Sequence, residues 1–134
     1  MKIILVSHGD LAKAFLDAAQ MIIGPQEDVC VFGLYPEASL EEFEQNISKK
    51  IAEYLEQNEE VFVFTDIFFG TPFNTMVRLM NQHKVHHFTG LSLPILLELL
   101  SVKDSEDIAD LGRYLVEKGQ TVFIDVNSFL DKQD

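Results

Sequence analysis

The run Val61-Phe62-Val63-Phe64-Thr65 stops abruptly at Asp66, and four residues later Gly70-Thr71-Pro72 opens a new pattern. Consecutive apolar and β-branched residues without alternation mark a strand buried on both faces, and hence a parallel sheet covered by helices. Gly70 supplies a permissive turn, Thr71 suits a helix N-cap, and Pro72 falls in a first turn, where its missing N–H costs no hydrogen bond. The spacing puts one carboxylate at the carboxyl end of a buried strand. Beside it is a helix N-terminus whose N–H groups are unpaired and partly positive. Gly70, Thr71 and the backbone N–H groups of Phe73 and Asn74 form a candidate cradle for phosphoryl oxygens. A capped helix without a ligand explains Thr71 equally well, and the two readings are compatible.

The same arrangement occurs at the start of the chain. Ile3-Ile4-Leu5-Val6-Ser7 is a short apolar strand that ends at His8, and after Gly9 the residues Leu11, Phe15, Ala18, Ala19 and Ile22 recur at helical spacing from about Asp10 to Ile23. If the two strands are neighbours, His8 and Asp66 project into one crevice at the carboxyl edge of the sheet, where open α/β sheets place their ligands. A neutral imidazole that attacks phosphorus must keep its proton on the other nitrogen and donate it to an orienting acceptor. Asp66 suits that role.

Gly24-Pro25 stops the first helix, Val29–Gly33 reads as a second strand, and Ser39 with Glu42 has capping-box spacing ahead of a helix carrying Phe43, Ile47, Ile51 and Leu55. Met76, Leu79 and Met80 give the helix after Pro72 its apolar stripe. Val85–Gly90 reads as a fourth strand and Ile95–Leu100 as an apolar helix. Asp104 or Ser105 is expected to cap a further helix with Ile108, Leu111 and Leu115 inward and Gly119 at its end, and Thr121–Ile124 reads as a last strand. Phe129 and Leu130 are possible docking points in a short polar tail. Alternating strands and helices predict an open, mainly parallel sheet with helices on both faces, strand order 2-1-3-4 and a switch point between strands one and three.

At 134 residues, with no internal repeat or linker, the chain is expected to form a single domain over 1–134. A net charge of −12 makes nucleic acid and anionic membranes poor partners and favours a partner with a basic patch. The one cysteine, Cys30, excludes an internal disulfide and reads as a small core residue. With neither a signal peptide nor a membrane span, the expected location is the cytoplasm. His83, His86 and His87 flank the start of the fourth strand, about 17 Å along the sheet from His8, so no metal site is expected from them. No lysine follows Gly70-Thr71 and no G-x-G-x-x-G is present, so no ATP, dinucleotide or other cofactor is indicated.

The segments Ile4–Gly9, Thr65–Asn74 and Gly90-Leu91-Ser92-Leu93-Pro94 together resemble the IIA component of the mannose family of the sugar phosphotransferase system, in order, spacing and total length. The resemblance implies a phosphotransferase whose matching histidine, His8, is phosphorylated on Nε2 by the histidine-containing phosphocarrier protein. It implies transfer to a cognate IIB component, with Asp66 hydrogen-bonded to the ring, and membrane association only through transporter components. It further implies a homodimer in which the C-terminal edge strand is exchanged. Phe69 and Ser92 depart from the family pattern, which has glycine and asparagine there. Two other classes stay open: a receiver-like signalling domain phosphorylated on Asp66, and a non-catalytic small-anion binding module. The residues after the first and last strands, Ser7-His8-Gly9-Asp10 and Ile124-Asp125-Val126, lack the acidic pair and lysine that a receiver uses.

Overall fold

The computed structural model describes residues 1–105 and 107–132, with the side chain of Ile108 outside the description. The chain divides into two compact units, Met1–Leu93 and Pro94–Asp134. In the first, β1 (Lys2–His8), α1 (Leu11–Ile23), β2 (Val29–Leu34), α2 (Leu40–Glu56), β3 (Val61–Thr65), α3 (Thr71–Leu79) and β4 (His86–Thr89) alternate without exception. The strands form one parallel sheet of order β2-β1-β3-β4, the order predicted above.

Strand periodicity sorts the core. Ile4, Val6, Val61 and Val63 point to one face and pack with Phe43, Ile47 and Ile51 of α2 and Met76 and Leu79 of α3. Ile3, Leu5, Phe62 and Phe64, equally buried, point to the other. Because the order reverses at β1, right-handed crossovers send α1 over the opposite face from α2 and α3. Phe88 stacks on Phe64 at 5.3 Å and continues the apolar layer into β4.

The helix ends follow their local chemistry. Ser39 accepts from the Glu42 N–H at the start of α2, and Gly24, at φ 88°, closes α1 by donating its N–H to the Gln20 carbonyl. Thr71 is the first residue of α3 and not its cap; that position falls to Gly70, with Pro72 behind it. On α1 the buried stripe is Ala12 and Ala19, with Phe15 and Ala18 partly covered, whereas Leu11 and Ile22, expected inside, are exposed.

In the second unit α4 (Leu93–Val102, its first residue grouped with the first unit) buries Ile95, Leu96, Leu99 and Leu100. The following helix, α5 (Ile108–Gly119), buries Leu111 and Leu115, and the Tyr114 hydroxyl donates to Glu98 of α4. Its cap is Asp107, not Asp104 or Ser105: the Asp107 carboxylate accepts the Ala109 N–H at 3.0 Å. The expected strand Thr121–Ile124 is absent; these residues form turns and coil. A strand needs a neighbouring edge, and here Thr121 instead bonds back to the Lys118 carbonyl through its N–H at 2.9 Å and its hydroxyl at 2.7 Å. Phe123 is fully exposed and Ile124 more than half so. The tail forms a short helix, α6 (Val126–Asp131), capped by Asp125, with none of its residues buried. Among the described residues no helix is long and apolar enough to cross a membrane.

One contact joins sheet to helix at the end that matters. Ser7, 1% exposed, accepts the Ala12 N–H on Oγ at 2.7 Å and so caps α1 from within β1, a task Asp10 at the N-cap position does not perform. Ser7→Ala leaves that buried N–H unpaired. Urea unfolding is expected to give a loss of about 1–2 kcal/mol, and an unchanged midpoint would remove Ser7 as the cap.

Candidate functional site

β1 and β3 are hydrogen-bonded neighbours, as the crevice required, with Val6 beside Thr65. β3 then stops, so the next backbone donor of β1, the His8 N–H, has no strand to pair with. The Asp66 side chain takes it: Oδ2 accepts the His8 N–H at 3.0 Å and lies 2.8 Å from His8 Nδ1. His8 continues the series Ile4, Val6 on the α2–α3 face, which aims its ring at the start of α3, while Ser7 points the other way to α1.

Asp66 is 8% exposed. Burial pushes its carboxyl pKa up, but the hydrogen bonds from the His8 backbone and ring outweigh it and hold the group below the ordinary aspartate value. The carboxylate is therefore an ionised acceptor, which assigns the ring proton to Nδ1 and leaves the lone pair on Nε2. Its second oxygen, Oδ1, is buried and accepts no hydrogen bond from the described residues. A carboxylate so enclosed and so engaged lacks the access that a phosphorylated receiver aspartate needs. The His8 side chain, by contrast, is 50% exposed, and with the Nδ1 edge against Asp66 the open edge carries Nε2.

The ring opens on a cleft of about 690 Å³ that Thr71 also lines. Gly70 is closer still: a Cβ built there would lie 3.5 Å from Nε2. Two first-turn amides of α3, those of Thr71 and Phe73, have no intrahelical partner, and Pro72 has no N–H. Asn74 is a correction: its N–H already donates to the Gly70 carbonyl at 2.8 Å, because the fourth residue of a helix is the first to reach a carbonyl behind it. Phe73 contributes its amide, while its ring packs at 5.1 Å from Phe68 and 5.5 Å from Phe69.

The predicted site omits the far wall of the cleft. Leu34, Tyr35 and Pro36 from the end of β2 line it, with the Tyr35 hydroxyl donating to Asp10 at 2.5 Å. The signal lay in register: His8 pairs with Leu34, so whatever follows β2 borders the histidine. Gly33 makes that approach possible, since a Cβ there would sit 2.3 Å from the Gly9 carbonyl oxygen, and the Gly9 N–H donates to Leu34 at 2.6 Å.

Of the other histidines, His83 bonds Ser48 at 2.8 Å and His86 bonds Glu60 at 2.9 Å, away from His8. His87 differs from the expectation. Its Nε2 lies 2.9 Å from Thr65 Oγ1, one residue before Asp66, and its ring is 5.4 Å from that of Phe73. A long side chain leaning along its strand covers the distance that strand register alone denied it. Burial pushes its pKa down, so it is a neutral structural partner of the site's floor.

Known proteins resemble this chain in sequence and fold. A family model described as "PTS system fructose IIA component" matches residues 2–115. The sorbose-specific EIIA component of Lacticaseibacillus casei is 31% identical over 120 residues, covering 87% of this chain and 84% of that protein. The fructose-specific EIIA component of Bacillus subtilis is 26% identical over 133 residues, covering 98% and 90%. A crystal structure of the PTS IIA protein associated with the fucose utilization operon from Streptococcus pneumoniae superposes with a TM-score of 0.84 at 32% identity, over 96% of this chain and 95% of that one. The chain therefore belongs to the mannose-family IIA components of the sugar phosphotransferase system.

Proposed function

We propose that this IIA component carries phosphoryl groups on His8, accepting them at Nε2 from the histidine-containing phosphocarrier protein and passing them to a cognate IIB component. The observation that supports this most is the double attachment of Asp66 to His8, through the backbone N–H at 3.0 Å and through Nδ1 at 2.8 Å. In the step, the Nε2 lone pair forms a new N–P bond while the donor's P–N bond breaks, and the donor imidazole leaves with that electron pair. The proton on Nδ1 stays in place, and Asp66 balances the positive charge that the ring gains. The amides of Thr71 and Phe73 bind the phosphoryl oxygens at the N-terminus of α3, with bare Gly70 giving them room. Reversal of the same step toward a nucleophile on the IIB component completes the transfer. Each part comes from this chain and its two partners, so the reading needs neither metal nor cofactor. We place this chemistry in the cytoplasm, with membrane association through transporter components alone.

Incubation with phosphoenolpyruvate, enzyme I and the phosphocarrier is expected to add one phosphoryl group, lost in acid and kept in base, and absent from His8→Ala. Mass spectrometry that finds an acid-stable adduct, or undiminished labelling of His8→Ala, would overturn the carrier reading and leave anion binding as the alternative.

Asp66→Asn tests the orienting role. If the amide oxygen faces His8, the new NH₂ takes the place of the buried Oδ1 and is a donor that must find an acceptor there. If the NH₂ faces His8, it opposes the backbone N–H and favours the proton on the wrong ring nitrogen. Either way we expect a stability cost of about 1–3 kcal/mol and a transfer rate lower by about 10²- to 10⁴-fold. Rapid-quench transfer at the parent rate, measured well below the melting temperature, would remove Asp66 from the mechanism.

We also propose a homodimer in which Thr121–Ile124 pairs with a sheet edge of the second copy. The support is a segment of strand composition whose Phe123 is fully exposed and which pairs with no strand among the described residues. Light scattering at micromolar protein is expected to report twice the chain mass, and a monomeric mass would contradict the pairing.

A further inference from the structure

Two neighbouring residues after Asp66 look interchanged for their backbone conformations. Phe69 has φ 58°, in the left-handed region that bulky side chains rarely adopt and glycine adopts freely. Gly70 has φ −136° and ψ 176°, extended backbone open to any residue. What requires glycine at position 70 is therefore space. A Cβ there would stand 3.0 Å from His8 Cε1, 3.5 Å from His8 Nε2 and 3.5 Å from Ile67 Cγ1. The first of these is closer than carbon atoms pack without one of them moving.

The left-handed turn at Phe69 has its own support. The Phe69 ring lies 4.0 Å from that of Phe68 and 5.5 Å from that of Phe73, and Phe68 lies 5.1 Å from Phe73. Phe73 belongs to the first turn of α3, and Pro72 beside it is buried. The three rings thus tie the turn to a rigid helix, although Phe68 and Phe69 are themselves exposed. An aromatic cluster of tilted and edge-to-face rings is a reason for a strained residue to hold its place.

We propose that Phe69 and Gly70 are positioning residues for His8. Asp66 holds the imidazole at its Nδ1 edge, a contact about which the ring can still pivot. Gly70, bare of a Cβ, leaves free the space against the neighbouring Cε1 edge, so that the ring can take the orientation that turns Nε2 toward the cleft. Phe69 supplies the backbone reversal that sets Gly70 beside the ring, and the aromatic cluster keeps the reversal from relaxing. The consequence for transfer rests on the carrier reading of His8; the space left for the ring does not.

Two measurements on Gly70→Ala separate these. In the unphosphorylated full-length protein, NMR is expected to find a displaced His8 Hε1 resonance, assigned by its loss in His8→Ala. In rapid-quench transfer from the phosphocarrier, kcat is expected to fall about 10- to 100-fold, as for small misplacements of a reacting group, with KM within about twofold of the parent because docking is untouched. Phe69→Gly suits the left-handed backbone but unties it from Phe68 and Phe73. It is expected to give a smaller kcat loss in the same direction and a broadened Hε1 line, and it decides the matter alone if Gly70→Ala does not fold. An unmoved Hε1 resonance overturns the proposal, as does parent kcat or a loss confined to KM. If the parent is never phosphorylated the carrier reading fails, and the resonance still decides whether Gly70 positions the ring.

Discussion

Everything at the carboxyl edge of the sheet depends on one carboxylate oxygen. Asp66 Oδ2 accepts both the backbone N–H and the ring Nδ1 of His8, standing in for a strand that has just ended. A hydrogen bond to a charged group contributes about 1.5–3 kcal/mol, enough to outweigh the burial that would otherwise neutralise Asp66. The same pair of contacts therefore closes the β1–β3 ladder and selects the tautomer of the histidine. Fold and chemistry cannot be separated at this point, because one atom serves both.

The rest of the first unit delivers that pair rigidly. Five consecutive buried residues of β3 and the buried core of β1 leave no freedom in where the two strands end. Alternation along β1 then assigns tasks by face: Ser7 turns toward α1 and caps it, and His8 turns toward α3 and its free amides. The Gly9 loop is tied to Leu34, and Gly33 clears the space for it, so the histidine sits between two fixed walls. A reacting group built on strand ends and helix starts is held more closely than one on a free loop. The ring itself stays half exposed, and its open edge carries Nε2.

Electrostatics and shape point outward from this site in different ways. The chain carries a net charge of −12, whereas the cleft wall beside His8 is largely apolar, with Leu34 and Pro36 facing Thr71. A basic partner would be drawn by the first and seated by the second, since long-range charge governs encounter and apolar contact governs residence. Tyr35, its hydroxyl held by Asp10, gives that wall a fixed aromatic edge.

Much of this was legible in the residue order. The break from Thr65 to Asp66, the apolar run ending at His8 and the glycine, threonine and proline that open α3 predicted four strands, their order and the meeting of His8 with Asp66. Local chemistry also marked Ser39 as a cap, because its bond to Glu42 spans three residues. The departures share a cause. Thr121–Ile124 has the composition of a strand but forms turns and coil within the single chain, since a strand exists only where an edge is offered to it and composition carries no partner. Helical spacing placed Leu11 and Ile22 inside, while the buried face of α1 is centred on Ala12 and Ala19. The reach of His87 to Thr65, the loss of the Asn74 amide to Gly70, and the wall from Leu34 to Pro36 depend on distances between segments far apart in the chain or on where one helix starts. The sequence by itself determined which residues end the central strands, because periodicity and turn chemistry act over a few neighbours. Only the tertiary structure decided which side of the imidazole is held and which is open, because that depends on a carboxylate and a glycine placed there by the packing of β3 and α3 against β1.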